Sequence, residues 1–385
     1  MEDSTKSDSL NKEAVSNEAI KDNPHDLKII NQLIQNGQPQ LGVFATVKKV
    51  NYLDYHSYLI SQKSVAKWRK DFKANQFAFI QIVQPPYRIC LALATIKLAT
   101  TAFVYLYNED SQVLEVCEAL NPLQQGGRFK GDHYQGQMAF INAKLTLTLD
   151  FLPDEVTVKL DSRYINLVAN LSRYRLPLAV CSPSGRRGWT FTQKEPFCSV
   201  TGQLTLKPAS KFYDNSPEEK IEFDERALAN LDWTLGFMRH ETNWFWCCIN
   251  SWLADGRHFM LNLSMGVNET GVSENACWLD GEICYLPPVM FRRHDNQSRN
   301  HQSHDNEEDT SANWTITHQD LGWSQVAINL CFTPLKVYQK TDNFGLIASI
   351  FEQWLGVYSG EIRLKDRVIK LDNVIGLAED HFAKW

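Results

Sequence analysis

The sequence predicts an all-β fold made of two consecutive antiparallel β-barrels or strongly curved β-sandwiches, with few short helices. The chain of 385 residues is long enough for two domains of ordinary size. From about Leu41 onwards, short alternating segments are separated by turn residues, and patterns of helical period are scarce. Because an all-β domain must protect its sheet edges, closure into a barrel is the commonest arrangement. A barrel interior either fills with side chains or holds one small ligand.

The clearest hairpin lies in the first half of the chain. Lys144–Phe151 alternates strictly between polar and apolar residues, and alternation resumes over Val156–Leu160 after a turn at Pro153-Asp154. A period of two with one apolar face is typical of a half-buried antiparallel pair.

The second half contains three further hairpin signals. Asp-Gly favours a two-residue type I′ turn, which needs positive φ at both central positions. The three predicted turns are Asp255-Gly256, Asp280-Gly281 and, between Ile362–Leu364 and Val368–Leu371, Lys365-Asp366.

The remaining organisation follows from composition. Residues 1–26 are polar and are predicted to be a disordered tail. We place the amino-terminal barrel-like domain at 27–210 and the carboxyl-terminal one at 211–385, the latter with a polar insert at 294–311. Short helices are predicted over Leu27–Ile34, Glu218–Asn230 and Phe344–Trp354.

Charge and cysteine content narrow the functional classes. A net charge of −6 offers no basic field for a phosphate backbone, which argues against nucleic-acid binding. There is no signal peptide or transmembrane stretch, so we expect a cytoplasmic protein whose nine cysteines are reduced thiols; peripheral membrane contact is compatible with this. Without a C-x-x-C pair or a recognised catalytic or nucleotide-binding motif, no metal or organic cofactor is predicted.

The segment with the most chemistry is Leu231–Trp252. If Thr242–Trp252 is a strand, Trp244, Trp246 and Trp252 share one face. These aromatic side chains fill a core or line a ligand pocket, and the pattern leaves both open. In a pocket, they would desolvate a neighbouring carboxyl group and raise its pKa, and their ring faces would stabilise a developing cation.

Three other segments carry candidate groups, each of which is equally explained by solvated or structural charges. They are Asn268-Glu269 with Glu274-Asn275; the carboxyl-terminal Glu379-Asp380-His381; and Ser182–Lys194, where Arg186, Arg187, Trp189 and Lys194 surround a Ser-Gly turn.

Several ordered motifs resemble one family. They are SGRRGWTFTQK, LDWTLGFMRHETNWFW, DGRHFMLNLSMGVNE, SENACWLDG, FGLIASIFEQWLGVYSGEI and GLAEDHFAKW, which resemble the bacterial domain-of-unknown-function family 2804 from about residue 40 to Trp385. The insert at 294–311 departs from that pattern. More loosely, one part of the chain resembles the second half of the proteins in the two-lipocalin-domain group, which includes carotenoid hydratases and cyclases. The residues that carry this resemblance are Asp232, Trp244, Trp246 and Asp255-Gly256. That resemblance implies lipocalin-like barrels and a lipophilic ligand.

The sequence therefore predicts binding of a lipophilic small molecule, isoprenoid-like or fatty, with cofactor-independent acid–base chemistry such as hydration, isomerisation or cyclisation. The alternative is a non-catalytic lipid carrier or protein-interaction module. If the protein is an enzyme, we expect a hydratase or cyclase of the lyase or isomerase type in which one acid beside tryptophan has a raised pKa. The candidate residues are, for catalysis, Asp232, Glu241 and Glu274 with Arg239 orienting the acid, and, for ligand binding, Trp233, Trp244, Trp246 and Asn275.

Overall fold

The computed structural model describes residues 27–56, 65–96, 98–123, 125–174, 176–213, 219–267, 273–294, 313–319, 325–343, 345 and 348–384. The tail predicted at 1–26 and the insert predicted at 294–311, apart from His294, lie outside the described residues.

A short amino-terminal region precedes the large sheets. It comprises β1 Ile29–Ile30, β2 Ile34–Gln35, β3 Gln38–Pro39, β4 Gly42–Phe44, β5 Thr46–Val47, a 3-10 turn at Tyr52–Asp54 and helix α1 Lys67–Lys73.

The first large sheet wraps into a nearly closed antiparallel barrel. Its strands are β6 Asn75–Gln84, β7 Tyr87–Ile96, β8 Ala99–Asn108, β9 Val113–Pro122, β10 Gly127–Gly131, β11 Gly136–Ile141, β12 Leu145–Phe151, β13 Glu155–Ser162, β14 Ile165–Arg173, β15 Leu178–Ser184, β16 Gly188–Leu206, β17 Lys220–Glu222 and β18 Leu228–Gly236. They run in the order β10-β11-β12-β13-β14-β16-β18-β6-β7-β8-β9, with β15 and β17 paired to β16, and β4 paired to β15.

The second sheet forms a half-barrel in the order β22-β21-β20-β19-β27-β26-β25-β24-β23. Its strands are β19 Glu241–Trp252, β20 His258–Met265, β21 Ala276–Leu279, β22 Glu282–Tyr285, β23 Met290–Arg293, β24 Trp314–His318, β25 Ala327–Asn343, β26 Ala348–Arg363 and β27 Val368–Lys384. The prediction of two consecutive antiparallel β-barrels or curved β-sandwiches is therefore confirmed, as a nearly closed barrel followed by a half-barrel. The chain changes sheet between Gly236 and Glu241, so β17 and β18 pair within the first sheet although they follow the division predicted near residue 210.

The three predicted helices are wrong. Ile29 and Ile30 pair in parallel with Thr46 and Val47. Residues 219–230, the described part of the second predicted helix, contain β17 and the start of β18. In the third, residues 348–354 belong to β26. In each case, ladder hydrogen bonds to a distant strand override a short local helical pattern. The one α-helix among the described residues, α1, was not predicted. Within the described residues, no helix is long and apolar enough to cross a membrane.

The hairpins are confirmed, with one change of turn type. The alternating Lys144–Phe151 segment forms β12 and pairs with β13. Asp280 and Gly281 have φ of 51° and 82°, as a type I′ turn requires. At Asp255-Gly256 only the glycine has positive φ, because a backbone hydrogen bond of 2.9 Å from Leu253 to Arg257 closes a three-residue loop instead.

The apolar side chains form three clusters. One fills the first barrel and includes Trp189, Phe191 and Trp233. A second fills the concave side of the half-barrel, and a third joins Phe79 and other first-sheet residues to Trp246 and its neighbours in the second sheet. The third cluster is the seam between the two sheets.

Candidate functional site

A cavity of about 240 Å³ lies in the seam, between one face of the first barrel and the facing side of the half-barrel. Side chains form a continuous apolar core inside the first barrel. The sequence left open a ligand site inside that barrel, but this cavity lies between the two sheets. Aromatic side chains from both sheets are among its lining residues, namely Phe77, Phe79, Phe103, Trp244, Trp246, Tyr338 and Phe351.

The first wall is one row of directly opposed residues across five strands. The row runs Lys194, Asp232, Phe79, Ala92, Phe103 on β16, β18, β6, β7 and β8. Opposed side chains of an antiparallel sheet lie on the same face, so the row places two charged groups at one end and an apolar surface at the other.

The second wall is built the same way on β19, β27 and β26. One row is Trp246, Glu379, Gln353, and the next is Trp244, His381, Phe351. All six line the cavity because residues two apart on a strand face the same side.

A buried charge cluster occupies the polar end. Lys194 Nζ donates a hydrogen bond to Asp232 Oδ2 and lies 3.4 Å from Glu274 Oε2. The three side chains are 4%, 9% and 4% exposed. Two carboxylates therefore share one ammonium group away from solvent.

The cluster shifts the pKa values of both Asp232 and Lys194. Burial raises the pKa of this carboxyl group; Lys194 opposes the rise, and the negative charges of Glu274 and Glu379 add to it. For Lys194, burial acts to lower the pKa, but the two carboxylates outweigh it and the pKa is raised, so the ammonium group stays charged. That an acid of the predicted set acts as a proton donor stays a prediction.

One atom of the cluster is directed at no protein partner. Asp232 Oδ1 is buried without a hydrogen-bond partner among the described residues, and so are both polar atoms of the Asn75 side chain, which also lines the cavity. Buried polar atoms are normally satisfied. These groups are therefore available to a bound molecule.

Glu379 is fixed from two sides. Its Oε1 accepts a hydrogen bond of 2.9 Å from Trp244 Nε1, and its Oε2 accepts one of 2.9 Å from Gln353 Nε2. Tyr105 of the first sheet donates a 2.5 Å hydrogen bond to Gln353 Oε1. The carboxylate is thus oriented by groups from both sheets.

Trp246 is held in a similar way. Its Nε1 donates a 2.8 Å hydrogen bond to Asn262 Oδ1, whose amide donates a 2.7 Å hydrogen bond to the backbone oxygen of Glu274. Its ring packs edge-on against Phe79, with ring centroids 5.6 Å apart. The indole therefore forms a rigid wall between the acid cluster and the aromatic surface. Among the described residues, no three or more His, Cys, Asp or Glu side chains are arranged to hold a metal ion.

Comparison with known proteins adds a family and a fold. The family described as Domain of unknown function (DUF2804) matches residues 48–385. The chain belongs to the DUF2804 family. No protein with a curated description matches the sequence significantly.

Several solved structures share the architecture of this DUF2804 chain. CghA has a TM-score of 0.50 and 11% identity over 92% of this chain and 97% of its own. CghA with Sch210972 has a TM-score of 0.48 and 10% identity over 81% and 88%. Kievitone hydratase from Nectria haematococca has a TM-score of 0.46 and 10% identity over 80% and 88%. At this identity the likeness to CghA shows the fold alone.

Four of the candidate residues predicted for this DUF2804 chain meet at the cavity. Asp232 and Glu274 lie in the charge cluster, and Trp244 and Trp246 form part of the wall. Their roles in binding or catalysis stay predictions.

The structure does not bring the other four to the cavity. Trp233 is fully buried inside the first barrel, because it follows Asp232 on a strand and so faces the opposite way. Glu241 is exposed and lies 2.9 Å from Lys384, which lowers its pKa. Arg239 is half-buried and donates a 3.3 Å hydrogen bond to the backbone oxygen of Gly266, away from Asp232. The side chain of Asn275 bonds to the backbone of Ser264 and Pro287 and so holds the chain beside Glu274.

Sequence reasoning missed the cation of the site. Lys194 was expected at an exposed turn, but it lies in the middle of β16, a strand of 19 residues. A lysine that alternates with Thr190 and Thr192, on the face opposite Trp189 and Phe191, is the signal that was available. Gln353 and Phe79 carry no sequence signal of a site, because only strand pairing brings them there.

Proposed function

We propose that the cavity binds a lipophilic small molecule with at least one double bond, and that Asp232 donates a proton to it. The reaction would be a hydration, isomerisation or cyclisation without an organic cofactor. The observation that carries this proposal is the buried Asp232 carboxyl group at the polar end of an aromatic cavity, with Oδ1 facing no protein partner.

The chemistry follows from the surroundings of Asp232. The raised pKa of Asp232 favours its neutral form, which is the form that can protonate a carbon–carbon double bond. The proton and the π electrons form a new C–H bond and leave a carbocation. Water addition, loss of a neighbouring proton, or attack by a second double bond then gives the hydrated, isomerised or cyclised product.

The same cavity stabilises both charges that form. Lys194 hydrogen-bonds the carboxylate that Asp232 becomes after proton transfer. The indole faces of Trp244 and Trp246 and the negative charge of Glu379 suit a carbocation in the apolar part. Both effects act beside buried side chains, where electrostatic interactions are stronger than in bulk solvent.

The alternative is a lipid carrier or a protein-interaction module. A carrier needs an apolar wall but no buried acid, whereas Asp232, Glu274 and Glu379 are all directed at the cavity. Inward-facing acids beside tryptophan favour catalysis over passive transport. The cytoplasmic location, the absence of nucleic-acid partners and peripheral membrane contact stay predictions.

Native mass spectrometry of the protein purified from its own host would identify the bound molecule. With that molecule as substrate, Asp232→Asn preserves the shape of the side chain and removes its proton, and we expect turnover to fall by a factor of about 10² or more. Glu241→Gln is the matched control, since Glu241 is exposed and outside the cavity.

Two results would count against the proposal. If Asp232→Asn keeps full turnover while the ligand still binds, Asp232 is not the proton donor. If ligand binds and no product forms with either protein, the carrier alternative is favoured.

A further inference from the structure

A serine and a histidine that the proton-transfer chemistry does not use form a chain of polar contacts with Glu379 in the same cavity. Ser349 Oγ lies 3.0 Å from His381 Nε2, and His381 Nδ1 lies 3.5 Å from Glu379 Oε1. All three residues line the cavity. This is the connectivity of a nucleophile, a general base and an orienting acid, in which each nitrogen of the imidazole has its own partner.

Strand pairing sets this arrangement. Glu379 and His381 are two residues apart on β27 and therefore face the same side. Ser349, on the adjacent strand β26, is directly opposed to Ala383, and so lies diagonally across from His381. The small Ala383 side chain leaves the space over which the serine and the imidazole meet.

The acid and the base are held in position. Trp244 and Gln353 fix both oxygens of Glu379, so the carboxylate presents a steady acceptor to His381 Nδ1. The imidazole ring lies against Trp244 and Phe351, with centroids 4.2 Å and 5.0 Å away. A carboxylate at Nδ1 favours the tautomer that leaves Nε2 free to accept the serine proton.

A nearby hydroxyl group is available to a ligand. Thr242 is opposed to Ala383 from the other side, in the same row as Ser349. Its Oγ1 is buried without a hydrogen-bond partner among the described residues, and the residue lines the cavity. A molecule bound over this row would meet both hydroxyl groups.

We propose that Ser349 is a nucleophile for acyl transfer, activated by His381 and oriented through Glu379, and that the substrate class is a carboxylic ester with an apolar acyl chain. Ser349 Oγ attacks the ester carbonyl carbon while its proton passes to His381 Nε2. The tetrahedral intermediate expels the alcohol, which takes that proton and leaves an acyl-serine. Water, deprotonated by His381, then releases the carboxylic acid and restores the serine. The aromatic wall from Phe103 to Trp246 would hold the acyl chain.

The test is covalent labelling of the full-length protein with an alkyl fluorophosphonate, followed by peptide mass spectrometry. We expect the adduct on Ser349 of the unmodified protein, which requires no variant to fold. His381→Gln should slow labelling by a factor of about 10² or more, because it removes the general base. Ser359→Ala, in the same strand, is the control and should label at the original rate.

The outcomes separate this inference from the proton-transfer proposal. Labelling of Ser349 reports on the serine and the histidine directly and does not depend on whether Asp232 donates a proton. The inference is overturned if Ser349 of the unmodified protein carries no adduct, or if His381→Gln labels as fast as the unmodified protein. Hydrolysis of a p-nitrophenyl ester of a fatty acid, lost in Ser349→Ala and kept in Ser359→Ala, would support it by a second readout.

Discussion

Replacing Lys194 by methionine tests the buried charge cluster directly. Lys194 is 4% exposed and is the partner of two carboxylates, Asp232 and Glu274. Methionine keeps an unbranched side chain of similar length and removes the charge. Removing one partner from a buried ion pair typically costs about 3–5 kcal/mol, because it leaves an uncompensated charge in the interior.

The loss of stability should depend on pH in a defined direction. Without Lys194, at least one of the two carboxyl groups keeps its proton in the folded state, so its folded pKa rises far above its unfolded value. A raised pKa contributes stability that is present at low pH and is lost as pH rises, by about 1.4 kcal/mol per pH unit for one proton. Between pH 5 and pH 7 this amounts to about 2.7 kcal/mol. A deficit of about 4 kcal/mol at pH 7 should therefore shrink to roughly 1 kcal/mol at pH 5.

Urea unfolding followed by tryptophan fluorescence at both pH values measures the effect, with the free energy of unfolding taken by linear extrapolation. Lys207→Met is the matched control. Lys207 also pairs with an aspartate, Asp161, but the two side chains are 31% and 62% exposed. Exposed pairs contribute about 0–1 kcal/mol, so the control should lose little at either pH. Equal losses for the two variants at pH 7, or a loss in Lys194→Met that does not change with pH, would refute the account of the cluster.

Two further predictions concern the ligand wall and a buried histidine. Trp246→Ala should weaken binding of a long-chain apolar compound by about 1–3 kcal/mol, or about 5- to 150-fold in Kd. Saturable changes in tryptophan emission measure the binding. The control is Trp252→Ala, which should not weaken binding because Trp252 is 42% exposed and lies outside the cavity. Loss of folding in Trp246→Ala, with no compound ever binding the unmodified protein, would favour a core role instead. Burial lowers the pKa of His258 from 6.5 to about 4, so its contribution to stability is present above pH 6.5 and is lost as pH falls, by up to about 3 kcal/mol. His258→Gln should flatten this part of the pH dependence of unfolding, and an unchanged slope would contradict the assignment.

Much of the fold is predictable because the signals are local. The alternation of β12 and the Asp280-Gly281 turn depend on neighbouring residues and need no knowledge of distant pairing. The faces of β19 are predictable for the same reason: Trp244 and Trp246 line the cavity, while Phe245 packs in the half-barrel core. The helices failed where a short apolar pattern had to be weighed against strand partners far along the chain.

Part of the site was also readable and part was not. Asp232 and Trp233 are consecutive on a strand and cannot face one cavity, so naming both as site residues conflicts with the alternation rule itself. The contact between Lys194 and Asp232, by contrast, depends on the register of β16 with β18, 38 residues apart in sequence. The hydrogen bond between Trp244 and Glu379 spans 135 residues. Registers of this kind are set by the whole sheet and leave no local pattern.

The position of the cavity explains why its chemistry comes from two sheets. Large side chains such as Trp189 and Phe191 are buried in the core of the first barrel, and the cavity lies outside that core. At the seam, the facing surfaces of the two sheets bury polar side chains beside apolar ones, and these polar side chains can still contact a bound molecule. Asp232 with Lys194 comes from the first sheet, and Glu379 with His381 from the second. A molecule bound in the seam would contact both, so under the proposals above each sheet would supply one acid–base group.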